Sequence, residues 1–236
     1  GKDWIGVALL GVLFFAVFFV LYNVSLTYTT AARGTLALSI LPLLTMVVAA
    51  LFRIEALTAR KTVGVLIAMT GVAVALATGL GDAPAGAWRG DLIMAGGALC
   101  MALYNVWSRP FIARSGPLPF TTAGMGMGAA CLVLITWWSG GFAAAGGFGA
   151  PQWTAIVYLG VGGAALTFYL WAFALERTTP TRVANTISVN PVTASIVAAI
   201  LLGEAIGLNL VVGVAAVFTG IWIASTGGSG PSGLDG

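Results

Sequence analysis

Charge is what this chain has least of. Of its 236 residues only 7% are Asp, Glu, Lys or Arg, ten of them basic and seven acidic. A soluble domain carries about a quarter charged residues, because its surface must face water. So few ionisable side chains cannot cover a globule of this length. That excludes an ordinary soluble enzyme, a nucleic-acid binder and a disordered chain. Histidine is absent altogether, so no metal site or hydrolytic mechanism can draw on it. The two cysteines, Cys100 and Cys131, sit inside apolar runs and read as small hydrophobes rather than as a disulfide. No metal site, cofactor or catalytic residue is expected. The segments between apolar runs are short and poor in acid, unlike the acidic loops of a lipid-linked transferase.

Hydrophobicity is what the chain has in excess: 59% apolar residues and a mean hydropathy of +1.03. Apolar stretches fall at about 4–28, 32–52, 62–80, 91–109, 118–138, 153–175, 183–203 and 208–226. At 1.5 Å per residue each approaches the ~30 Å hydrocarbon core of a bilayer. Lipid-exposed backbone must satisfy its own hydrogen bonds, which calls for helices. Runs such as VLFFAVFFV and MVVAALF lack the alternation of a barrel strand. The expected fold is an all-α polytopic membrane protein with eight transmembrane helices, its partner the lipid bilayer. With the N-terminus cytoplasmic, the inner side collects Lys2, Arg53, Arg60, Lys61, Arg109, Arg114, Arg177 and Arg182, against Arg33 and Arg89 outside. The positive-inside rule therefore puts both termini in the cytoplasm. Trp4, Trp88, Trp137, Trp138 and Trp153 mark span ends, where an indole prefers the interface. Residues 227–236 read as a flexible tail.

Shifting the chain by 149 residues against itself reveals a repeat. Pro42 falls on Pro191, Glu55 on Glu204, Gly64 on Gly213, Gly71 on Gly220 and Arg33 on Arg182. Between residues 10 and 75 there are 23 identities in 66 ungapped positions. Shared apolar composition does not align Pro, Glu, Arg and glycines at one offset. Matching spans lie five apart, an odd number, so they cross the membrane in opposite directions. Inverted repeats of this kind are characteristic of secondary transporters. On this reading residues 1–80 are the last three helices of a first repeat and 91–226 a complete second repeat of five. Two further spans, about 60 residues, are then expected before residue 1, completing a ten-helix, five-plus-five fold.

The motifs ALSILPLLTMVVAALFRIEALTARKTVGVLIAMTGVAVAL and ANTISVNPVTASIVAAILLGEAIGLNLVVGVAAVFTGIWIA carry these features. Together they resemble the EamA family of the drug/metabolite transporter superfamily. The resemblance covers essentially the whole chain. The first copy departs from the usual Leu-Gly-Glu pattern, having Phe-Arg-Ile-Glu at 52–55. The resemblance implies an exporter or facilitator of amino acids, related metabolites or drugs in the bacterial inner membrane, working by alternating access. A lipid-linked sugar flippase of the same superfamily, or a non-transporting truncated remnant, are the alternatives. The sequence specifies neither the substrate nor whether one copy or two form the working unit.

A transport site needs polar groups within the spans. Asp3, Glu55, Asp82, Asp91, Glu176 and Glu204 all lie near span ends, so no carboxylate marks a proton path. Transport is therefore expected to be facilitated, or coupled without a mid-membrane acid. The uncharged candidates for substrate binding are Asn185, Ser188 and Asn190, with Thr186, clustered around Pro191 in the seventh span. Tyr104 and Asn105, Tyr22 and Asn23, and Tyr169 and Trp171 add rings and amides suited to an amphipathic solute. Interhelical packing is the alternative role for each. Pro42 and Pro191 are expected to shape their helices. Glu55 and Glu204 are expected to cap the N-terminus of the following helix, with gating as the other role. Gly124 and Gly128, and Gly160 and Gly163, are expected to allow close helix contact.

Overall fold

The computed structural model describes residues 2–77, 84–193 and 208–226. Glu204, the second half of the 183–203 span and the tail 227–236 lie outside the described residues. Among the described residues there are helices and no strand. Among the described residues five helices are long and apolar enough to cross a membrane: Trp4–Leu26, Ala31–Leu51, Pro117–Trp138, Ala150–Arg177 and Leu208–Ser225.

The first helix, α1 (2–26), is continuous but not uniform. Lys2–Val12 and Phe19–Leu26 are α-helical, and Leu13–Phe18 between them is a π-helical turn. The second span is broken into α2 (Ala31–Leu38) and α3 (Leu41–Leu51), with the break at Ser39 and Ile40. The cause is local. Pro42 has no N–H to donate four residues back and its ring crowds that carbonyl, and Ser39 Oγ turns onto Leu36 O at 2.6 Å. Next come α4 (Ala59–Ala75), α5 (Trp88–Trp107), a short α6 (Arg109–Ser115) and α7 (Pro117–Trp138). Helix α4 ends at Ala75, short of the 62–80 span expected from hydropathy. Gly116, at φ +83°, makes the reversal between α6 and α7.

Helix α8 (Ala150–Arg177) repeats the build of α1, with a π-helical segment at Leu159–Leu166. In α9 (Pro180–Asn185) the helix tightens to a 3-10 turn at Thr186–Ser188, just before Pro191. Helix α10 (Leu208–Ser225) closes the described chain.

Two glycine seams bring helices to backbone contact. A Cβ on Gly64 would lie 2.5 Å from Ala224 N and 2.7 Å from Gly220 O. On Gly71 it would lie 2.7 Å from Val217 N and 2.8 Å from Gly213 O. Helices α4 and α10 thus run antiparallel. Exchanging each glycine for its partner 149 residues away maps this contact set onto itself. The second seam joins α1 and α7: a Cβ on Gly11 would lie 2.5 Å from Gly124 O, and one on Gly128 would lie 2.3 Å from Phe15 Cβ. Gly160 and Gly163 do not behave as expected. No other element comes within 4 Å of a Cβ placed on either, because they sit on the exposed π-helical segment of α8.

The polar ends of the helices group into two sets. At one end Arg60 reaches Ile223 O and Thr226 Oγ1, Arg182 reaches Ser225 O, and Arg109 reaches Leu175 O. At the other, Asp91 accepts from Thr29 Oγ1 and pairs with Arg33.

Candidate functional site

A cavity of about 800 Å³ lies between α1, α5, α8 and α9. That is within the ~300–1,000 Å³ range of small-molecule sites. One wall is aromatic: Phe14, Phe18 and Phe19 from the π turn of α1 and its edge, with Phe168 and Trp171 from α8. The rings hold one another. Phe168 meets Phe14, Phe15 and Phe19 edge-on at 5.2, 5.1 and 5.8 Å between centroids. Such edge-to-face pairs fix ring orientation as well as bury area. The other wall is α9 and its extension, with Val183, Thr186, Ile187 and Asn190 lining at helical spacing. Thr167, Thr178 and Arg182 supply the remaining polar lining, and no carboxylate among the described residues lines the cavity.

Of the residues expected to bind substrate, Trp171 and Asn190 line this cavity. Asn105 stands behind it. It is fully buried, and its Oδ1 accepts from Trp171 Nε1 at 2.8 Å while its Nδ2 reaches Thr45 Oγ1 at 3.5 Å. It orients the indole rather than contacting the empty space. Tyr104 is buried in the core, its ring stacked on Phe14 at 4.4 Å, and is not a lining residue. Tyr22 packs beside Phe18, their centroids 6.0 Å apart. Asn23 turns back onto Phe19 O at 2.8 Å and borders a separate groove between α1, α7 and α8. Tyr169 faces Phe173 at 6.2 Å and does not line the cavity.

Asn185 and Ser188 lie on the opposite side of α9 from the cavity. With Thr181 they form a buried stripe at positions i, i+4 and i+7, in the face that packs against α3 and α5. Thr181 Oγ1, both amide atoms of Asn185 and Ser188 Oγ have no hydrogen-bond partner among the described residues. Unpaired buried polar atoms cost about 1–3 kcal/mol each, so this seam is held closed against a standing penalty.

Glu55 does not cap the helix that follows it. Thr58 does that, accepting from Lys61 N. Glu55 Oε1 instead accepts from Thr181 N at 3.0 Å, in the first turn of α9, while Lys61 Nζ donates to its Oε2 at 2.8 Å. The end of α3 explains the redirection. Arg53 takes φ +58° and Ile54 N bonds back to Ala49 O at 2.8 Å, a Schellman-type stop. The chain reverses there and carries Glu55 into the bundle.

Reading the sequence alone missed the phenylalanines of the α1 π turn, Phe168 and Arg182. The phenylalanines are indistinguishable from lipid-facing rings in a run as apolar as VLFFAVFFV. Arg182 carried a signal, its coincidence with Arg33 in the repeat, but was counted there only for orientation.

The chain matches the family model of the EamA-like transporter family over residues 1–77 and 88–226. It is 26% identical over 226 residues to an uncharacterized transporter, YyaM, of Bacillus subtilis (strain 168), covering 95% of this chain and 74% of that protein. It is 24% identical over 222 residues to an uncharacterized transporter of Archaeoglobus fulgidus, covering 94% of this chain and 78% of that one. It is 27% identical over 205 residues to a "probable terminal-alkyne amino-acid exporter" of Streptantibioticus cattleyicolor, covering 86% and 67%. A solved crystal structure superposes with a TM-score of 0.77 at 22% identity, over 92% of this chain and 76% of its own length. That likeness is one of fold.

Proposed function

The chain belongs to the EamA-like transporter family, and on that premise we propose that it exports small amphipathic metabolites, amino acids or related solutes and drugs, by alternating access. It is a membrane-embedded, multi-pass transporter of the drug/metabolite type. The observation that carries the finer reading is the cavity itself. It lies where the π turn of α1, the Thr167–Arg177 part of α8 and α9 with its 3-10 turn meet, so two of the irregular segments of the fold contribute to its lining. Irregular turns of this kind are common at functional sites and hinges, and discontinuous helices surround the sites of inverted-repeat transporters.

Three features support two related halves. The π-helical segments at 13–18 and 159–166 overlap when the chain is shifted by 149. Both proline-bearing spans break just before the proline. The α4–α10 glycine contacts are self-reciprocal. In this reading the Thr181–Asn185–Ser188 seam is the surface that becomes wetted in the opposite state, when α9 parts from α3. Glu55 bridges the same two elements and Lys61, and so acts as a clasp on that seam.

We place the chain in the bacterial cytoplasmic membrane with both termini inside, following the bias of its basic residues. Transport in this reading is facilitated, or coupled without a mid-membrane acid; that no carboxylate lines the cavity among the described residues supports it. Purified chain in liposomes should exchange labelled amino acids across the bilayer in both directions. Accumulation driven by a pH gradient alone would refute the uncoupled mechanism, and absence of exchange for any amphipathic solute would refute transport.

A further inference from the structure

The two arginines related by the repeat have the same local structure and different electrostatics. Arg33 and Arg182 each follow a threonine N-cap, Thr30 and Thr179, whose Oγ1 accepts from the arginine N–H at 3.4 Å in both. Arg33 is neutralised by Asp91. Arg182 has no carboxylate partner among the described residues; its Nη2 donates to Ser225 O at 2.6 Å. Lys61 and Arg177 pair with Glu55 and Glu176. Arg182 is half-buried, faces no carboxylate among the described residues, and lines the aromatic cavity. A guanidinium has five donors and suits a planar carboxylate.

Among the described residues the cavity offers a positive group no carboxylate, only the faces of its rings. Its other polar lining consists of threonine hydroxyls, the amide of Asn190 and the indole of Trp171, whose N–H is already given to Asn105. Resting on the transport reading above, we infer that the site selects amphipathic carboxylates that carry no ammonium group. The carboxylate sits at Arg182 and the apolar tail lies against Phe14, Phe18, Phe168 and Trp171. A zwitterionic amino acid fits the same space but brings its α-ammonium beside Arg182 as a like charge, and an amphipathic amine meets Arg182 with no carboxylate at all.

Three compounds with one tail and different charge test this at pH 7: 3-phenylpropionate, phenylalanine and 2-phenylethylamine. Binding to the detergent-solubilised full chain is read by equilibrium dialysis with radiolabelled ligand. The expected order is 3-phenylpropionate tightest, phenylalanine about 10-fold weaker, the cost of holding its ammonium near the guanidinium, and phenylethylamine weakest. Arg182→Gln should erase the difference between the first two while the unfolding midpoint stays close to wild type, and Arg182→Lys should retain the order. Laurate as a fourth arm separates a carboxylate drawn from the bilayer, which would bind tighter than phenylpropionate, from a water-soluble one. Equal binding of all three phenyl compounds, tighter binding of the amine, or an order that survives Arg182→Gln overturns the inference. If amino acids still exchange in liposomes in that case, the transport reading stands without it.

Discussion

Replacing Gly220 with alanine should force α4 and α10 apart. The added Cβ would lie 2.4 Å from Ala68 N and 2.5 Å from Gly64 O, both backbone atoms that no rotamer change can move. Ordinary contact begins near 3.4 Å, so the axes must separate by about 1 Å at this level. In a bilayer, helices associate through packing rather than through the hydrophobic effect, and the loss falls on a seam where the two backbones touch. Overpacking of this kind costs about 1–3 kcal/mol, which for a chain of this length corresponds to a midpoint lowered on the order of 2–12 °C. Gly64→Ala meets the same backbone from the other side, 2.5 Å from Ala224 N. Once one methyl has spread the pair the second costs little, so the double variant should fall short of the sum. Gly96→Ala is the control. It sits within α5 with no atom within 4 Å of its added methyl, and alanine is the better helix former, so its midpoint should match or exceed wild type. Thermal unfolding of the purified protein in detergent reads all four. A Gly220→Ala midpoint equal to that of Gly96→Ala would refute the close seam.

Three further outcomes follow from contacts around the cavity. Asn105→Ala removes the acceptor that holds Trp171; loss of one neutral hydrogen bond should weaken carboxylate binding about 3- to 10-fold in equilibrium dialysis, and unchanged affinity would mean the indole needs no support. Asn185→Leu replaces two unpaired buried polar atoms and should raise stability by about 1–3 kcal/mol while slowing exchange in liposomes; a stabilised variant with wild-type exchange would remove the seam from the mechanism. Glu55→Ala leaves Lys61, 15% exposed, without its partner and should cost about 3–5 kcal/mol. Glu55→Gln keeps an acceptor for Thr181 N and should cost about 1.5–3 kcal/mol, so unfolding midpoints in the reverse order would contradict the clasp.

The helices were legible because each carries its own signal. A run of about 20 apolar residues reports its length without reference to the rest of the chain, and Pro42 and Pro191 announce breaks where the helices indeed tighten or stop. Gly124 and Gly128 pack closely on α1, whereas Gly160 and Gly163 show that spacing alone does not say what lies opposite. The π turns left no mark, since one extra residue per turn changes no composition. The binding wall was harder still. Asn185 and Asn190 sit five residues apart on one short element, and only the packing of α9 on α3 decides that Asn190 faces the cavity and Asn185 the seam. Glu55 illustrates the same limit: charge and position suggested a cap on the following helix, but its carboxylate instead accepts from Thr181 N, 126 residues further on.

The central claim, that solute passes through the cavity between α1, α8 and α9, is tested most directly by blocking it. Thr186 lines the cavity and is exposed, so a larger ring is accommodated without disturbing the core. Val157, on the outer face of α8, is exposed and lines no part of it. Counterflow of labelled amphipathic amino acids and carboxylates should be measured in liposomes with wild type, Thr186→Trp and Val157→Trp at equal protein content. The account predicts counterflow in wild type and Val157→Trp and its loss in Thr186→Trp. Counterflow through Thr186→Trp at the wild-type rate would contradict it.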